Sequence, residues 1–159
     1  MYTKEEIFTL LEKVKDPEIP VISLVQLGVV KDVRVEGEKV FVEIVPTFAG
    51  CPAIEMMKND VVKTLEEAGI REMEVKISYR QSWTTNQIST KGRQLLKDFG
   101  LSPPRPFEGE LTMEELKYAQ CPKCNSTNTR LLSTFGPTAC RAIHHCNDCH
   151  ETFEQMKPL

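Results

Sequence analysis

Histidine is missing from the first 119 residues of this 159-residue chain; all three histidines lie at 144, 145 and 150. That stretch therefore has no imidazole to activate a nucleophile near neutral pH. No Gly-rich phosphate loop follows a strand-like run either. Together these absences argue against an independent hydrolase or nucleotide enzyme, and no catalytic constellation of its own is expected. No apolar run approaches the ~20 residues of a bilayer span, so no membrane partner is expected. A basic excess is lacking too. The formal net charge is −3, and neither half carries the Lys/Arg stripe on which nucleic-acid affinity mostly rests. The opening Met-Tyr-Thr-Lys-Glu-Glu has acidic residues and no h-region, so a secretory signal is not expected there and a cytoplasmic location is.

What the chain does have is clustered cysteine. Five of its six cysteines fall between 121 and 149, and Cys51 stands apart. Cys121-Pro-Lys-Cys124 and Cys146-Asn-Asp-Cys149 are two CxxC knuckles twenty-one residues apart. Each knuckle turns tightly enough to aim two thiolates at one point, and two of them close a tetrahedron around a structural zinc ion. An iron–sulfur centre on the same four thiolates is the competing reading. Residues 129–134 and 152–154 have strand-like content, so 119–159 reads as a zinc ribbon that depends on its metal to fold. Cys140 is an auxiliary thiol. It could replace a ligand, act as a redox handle or simply fill space, and the last is the plainest reading. His144, His145 and His150 are expected beside the centre or exposed. Lys123, Arg130, Arg141 and Lys157 against Asp148, Glu151 and Glu154 leave the ribbon weakly charged. Protein docking suits it better than nucleic acid.

Upstream, the pattern is that of a small two-layer α/β (α+β) domain of order α-β-β-α-β. Thr3 with Glu6 makes a capping box ahead of Ile7, Leu10, Leu11 and Val14, predicting a helix over 4–15 that Asp16-Pro17 stops. Val29 to Val35 and Val40 to Val45 flank a Gly37 loop and read as a hairpin, with Val33 and Val35 on one face. A second helix follows, with Pro52 at its first position and Ile54, Met57, Val61, Leu65 and Ala68 as its stripe. Met73 to Tyr79 is a third strand, and 89–99 a short helix. The expected division is 1–100 for this domain, a Pro-rich linker over 101–118 with a helical turn or two at its end, and the ribbon from 119.

Cys51 lies in a Gly-Cys-Pro turn at the predicted start of that second helix, where unpaired N–H groups favour a thiolate. Position alone leaves it equally open that Cys51 is only a small residue in a tight turn. Asp16-Pro17-Glu18 is a rigid acidic turn that could hold a metal with Cys51, or could merely end a helix.

Several of these segments together resemble a known domain. Val14-Lys-Asp-Pro-Glu-Ile-Pro20, Leu27-Gly-Val-Val30 and Thr47-Phe-Ala-Gly-Cys-Pro52 resemble the signature of the iron–sulfur assembly domain of SUF-type and cytosolic cluster-assembly factors, over residues 3–80. Ser82-Trp-Thr-Thr, Ile88-Ser-Thr, Gly92-Arg, Phe99-Gly-Leu-Ser-Pro-Pro104 and Phe135-Gly-Pro-Thr-Ala-Cys140, with the ribbon, are similar to the PaaD family. Its members are accessory proteins of the phenylacetyl-CoA epoxidase system of aerobic phenylacetate degradation. The resemblance implies a non-catalytic maturation partner of a multicomponent monooxygenase that has a di-iron oxygenase and a flavin and [2Fe–2S] reductase. It implies transient iron or cluster handling at Cys51 near Asp16 and Glu18, and some role for Cys140. A cluster shared between two Cys51 thiolates would favour a homodimer. A structural or regulatory subunit of the same complex is the alternative function, and a nucleic-acid-binding ribbon the more distant one.

Overall fold

The capping box at the start of the chain forms. The Thr3 hydroxyl accepts from the Glu6 N–H at 3.2 Å, and the Thr3 N–H donates to the Glu6 carboxylate at 2.7 Å. Helix α1, Lys4–Leu11, buries Ile7 and Leu11 and is shorter than the 4–15 expected. It ends early because Val14 N–H already closes a turn on the Leu11 carbonyl and Lys15 then pairs with Ser23 in an isolated bridge. This is a computed structural model, and it describes residues 1–47, 52–80 and 82–158. The chain falls into two compact units, Met1–Trp83 with Gln87–Gly92, and Thr84–Asn86 with Arg93–Leu159.

In the first unit, strands β1 (Val30–Glu36) and β2 (Lys39–Ile44) form the expected antiparallel hairpin. Gly37 turns it in the left-handed region at φ +64°, which costs glycine nothing. Helix α3, Ile54–Glu67, then carries the chain over to β3, Met73–Ile77, which lies parallel to β2 and completes the order β1-β2-β3. Ile54, Met57, Val61 and Leu65 face inward as the stripe requires. Two boundaries differ from expectation. Pro52 lies outside α3, whose N-cap is Ala53, and β3 stops at Ile77 after Ser78 N–H makes its bond to the Ile44 carbonyl. Helices α1 and α3 contact each other, α1 also packing on β1 and α3 on β3, over Val33, Val40, Val42 and Ile44. Burying these residues gives roughly 1.5–3 kcal/mol per side chain, an upper range set by the unfolded-state reference.

A further helix, α2 (Leu24–Leu27), was not legible from hydrophobic periodicity. It is capped by a second reciprocal box, Ser23 with Gln26, and closed by Gly28 at φ +81°. Residues 83 and 87–92 lie on this helix. The buried Trp83 indole donates to the Leu27 carbonyl at 2.9 Å, and Ser89 N–H donates to the Gln26 carbonyl at 2.9 Å. The approach is close enough that a Cβ on Gly28 would stand 2.8 Å from the Gln87 carbonyl oxygen, and one on Gly92 would stand 2.9 Å from that of Gln26.

In the second unit the sheet has the order β4-β7-β6-β5, with β4 Leu101–Ser102, β5 Thr129–Ser133, β6 Arg141–Cys146 and β7 Thr152–Met156. Strands β5, β6 and β7 are antiparallel neighbours, while β4 runs parallel to β7. Residues 101–118, read from the sequence as a linker, are part of this unit. Leu101 and Ser102 are buried against the sheet edge, and the prolines after them are strapped down. The Arg93 guanidinium, from helix α4 (Thr90–Asp98), donates to the carbonyls of Pro104 and Thr85, and the Asn86 amide exchanges two bonds with Phe107. Thr112 then caps α5, Met113–Lys117, and Glu115 on that helix takes both Arg105 bonds at 3.1 and 3.2 Å.

Candidate metal centre

The two knuckles are built alike. In the first, Cys121 N–H donates to the Ser126 carbonyl at 2.9 Å and Asn125 N–H donates back to the Cys121 carbonyl at 2.9 Å. In the second, Cys146 N–H donates to the Glu151 carbonyl at 2.8 Å and His150 N–H to the Cys146 carbonyl at 2.9 Å. The residue after each second cysteine takes a positive φ, +64° at Asn125 and +63° at His150. Asparagine and histidine are both enriched in that region among non-glycine residues.

The knuckles bring Cys121, Cys124, Cys146 and Cys149 together, with all four sulfurs within 4.8 Å of one another. Cys121 Sγ stands 3.6 Å from Cys149 Sγ, and Cys124 Sγ 3.5 Å from Cys146 Sγ. A disulfide needs ~2.05 Å, so neither pair is one. A tetrahedral thiolate site with metal–sulfur bonds of ~2.3 Å has edges of ~3.8 Å, which these separations approximate. The donor set is soft and closed, and it fits a metal ion.

Backbone amides favour the charged form at this site. The Cys146 thiol is lowered to about 7, chiefly by the Cys149 N–H and also by the Asp148 N–H. Cys124 receives the Ser126 N–H, yet desolvation and hydrogen bonds to the neighbouring thiols outweigh it and push it up to about 12. A bound cation would displace the protons these thiols hold. Lys123 bonds Glu151 across the knuckles at 3.2 Å, and this bond, then the Glu151 charge, and only after them the nearby Cys149 and Cys121, raise its pKa.

A polar lacing, absent from the sequence expectations, ties the halves together. Asp148 accepts from the Ser126 hydroxyl and, at 2.9 Å, from the Asn128 amide; its carboxyl is held below the usual range by these bonds, Ser126 first. Asn147 N–H donates to the Asn128 carbonyl at 2.9 Å. Beneath the sulfurs lie Ala119 and Phe153, in one core with Cys121 and Cys146.

The remaining expected residues are placed as follows. His144 is not exposed: it is buried and stacked on Phe153, a member of the cysteines' core, at 5.7 Å, and burial depresses its imidazole despite the nearby Gln155 side chain. The inward alternation Ala142, His144, Cys146 on β6 was the available signal. His145 is half-buried and His150 exposed. Cys140 is in the β5–β6 connection, outside the four-sulfur group, half-buried with its sulfur 3.0 Å from the Thr138 hydroxyl oxygen. Asp16 is buried, and its Oδ1 accepts from Glu18 N–H at 2.8 Å and Ile19 N–H at 2.9 Å, so it shapes the acidic turn; the Glu18 side chain is exposed. Cys51 lies outside the described residues.

Comparison with known proteins gives two family matches on successive stretches, an iron–sulfur cluster assembly protein model over residues 4–77 and a PaaD zinc beta ribbon domain model over 106–157. The chain is 35% identical, over 96% of its own length and 91% of the other's, to an Escherichia coli (strain K12) protein described as a "Putative 1,2-phenylacetyl-CoA epoxidase" component. It is 30% identical, over 56% of its length and 86% of the other's, to an Fe-S protein maturation auxiliary factor of Porphyromonas gingivalis (strain ATCC BAA-308 / W83). Among solved structures, a domain of unknown function from Bacillus anthracis aligns with a TM-score of 0.55 at 27% identity, covering 58% of this chain and 90% of that one.

Proposed function

Because this chain belongs to the family of the Escherichia coli epoxidase component, which it matches over 96% of its length, and carries the PaaD zinc beta ribbon over residues 106–157, we propose that it is an accessory factor that helps equip a phenylacetyl-CoA epoxidase-type monooxygenase with iron or an iron–sulfur centre. The observation that carries the reading is the pairing, in one chain, of an assembly-type domain with a four-cysteine ribbon. The relatives are named as an epoxidase subunit and as a maturation factor, and this proposal joins the two roles.

In this reading the first unit carries the cargo. Cys51 is the thiolate that meets iron or a cluster, and the turn held by Asp16, with Glu18 exposed, is the carboxylate source. The second unit holds zinc on Cys121, Cys124, Cys146 and Cys149. The ion supplies cross-linking of two knuckles that have only a small core of their own. That rigid ribbon is the surface for the client, an oxygenase or reductase component. No helix of the described residues is long and apolar enough to cross a membrane.

The test is to produce the epoxidase components with and without this protein and to measure iron and acid-labile sulfide in each. Lower loading without it is expected, and equal loading with equal activity would sink the proposal. The name of the Escherichia coli relative favours a second reading, a standing subunit with no cargo. Cys51→Ser separates the two: a carrier loses metal loading of its client, whereas a standing subunit keeps it.

A further inference from the structure

The four cysteines are not equally reachable. Cys121 and Cys146 are 0% exposed and share a core with Ala119 and Phe153. Cys149 is half-buried and packs against that core. Cys124 is exposed and takes no part in it. The asymmetry is notable because Cys124 and Cys149 occupy the same place in two knuckles of the same backbone design.

We propose that the metal centre opens at Cys124, and that this sulfur is the site at which soft, thiol-seeking electrophiles modify the cluster and release the metal. The inference rests on the four cysteines holding a metal ion. Its physical basis is access: an attacking group must reach sulfur, and of the four cysteines two are buried in the ribbon's own core, a third is half-buried against it, and Cys124 alone is exposed. With a maleimide the step is a conjugate addition. The Cys124 electron pair forms the carbon–sulfur bond and the resulting enolate takes a proton from water, so that sulfur could no longer serve a metal as a thiolate. A bound ion would then keep only Cys121, Cys146 and Cys149 as thiolate ligands and would exchange more readily.

The experiment uses the full zinc-loaded chain. Metal content is measured first; then a brief pulse of substoichiometric N-ethylmaleimide is followed by peptide mapping, with released zinc read by a chromogenic chelator. Among the cluster cysteines the first adduct is expected on Cys124, with zinc release rising in step with it. A first adduct on Cys121, Cys146 or Cys149, or equal rates at all four, overturns the inference while leaving the metal site standing. Purified protein that takes up no metal overturns both. As a second measurement, Cys124→Ser should keep the zinc and the ribbon's circular dichroism while exchanging metal faster than the parent, and Cys146→Ser should lose both. Equal loss in the two variants would count against Cys124.

Discussion

Asp148 shows how a residue that is no ligand can decide the quality of a metal site. Its carboxylate gathers Ser126 and Asn128 from the first knuckle's side and so sets the distance between the two CxxC turns. Such supporting hydrogen bonds commonly govern metal affinity as much as the ligands do. Asp148→Ala is therefore expected to weaken metal binding by about 10–100-fold, read by competition with a chelator of known affinity. Asp148→Asn, which keeps one carbonyl acceptor, should lose less. If both variants hold metal as tightly as the parent, the lacing is ornamental. The carboxylate's role was hidden in the sequence because Asp148 sits inside the second knuckle, where its spacing reads only as filler between Cys146 and Cys149. Cys149 and its partners, by contrast, were legible from spacing alone, since CxxC geometry is local.

At the level of elements, the short helix α2 and the segment that covers it approach each other closely, at Gly28 and at Gly92. Gly28 ends α2 at φ +81° and leaves no room for a methyl group against Gln87. Gly37 has a similar φ of +64° but nothing within 4 Å. Alanine at either position pays the left-handed backbone cost of ~1–2 kcal/mol, and at Gly28 a backbone clash adds to it. Gly28→Ala should therefore lower the melting temperature clearly more than Gly37→Ala, measured side by side by calorimetry. Equal shifts would mean that Gln87 yields freely. Helix α2 escaped sequence reading because four residues show no period; the Ser-x-x-Gln box at 23–26 was its trace. Strand β4 escaped for a related reason. Two residues ahead of a proline run gain their strand character from β7, where Leu101 pairs with Glu154, and nothing local announces that pairing.

On the scale of the whole molecule, the chain has two compact units, each with its own sheet. The ribbon's core is small, and two of its members are the ligand sulfurs themselves. Stripping the metal removes the cross-link and leaves buried thiols in its place, while the first unit keeps an apolar core that no ligand supports. A chelator should thus abolish one calorimetric transition and leave another near its original temperature. A single transition that moves as a whole with chelator would show that the units do not melt independently. The α-β-β-α-β order of the first unit and the ribbon of the second were both readable, the one from apolar periodicity and the other from cysteine spacing. The extent of the second unit was not, because Arg93, Asn86 and Arg105 secure residues 101–118 through side-chain bonds to distant backbone and to Glu115.

Cys146 is the last residue of β6, and it stands opposite Thr129 at the end of the β5–β6 ladder. Neighbouring side chains on a strand point to opposite faces, so a slip of one residue would turn His145 toward the cluster and Cys146 away from it. The metal then acts as a gauge for the sheet. Only the correct alignment of β6 completes a four-sulfur set, and a misaligned ribbon is left unlatched.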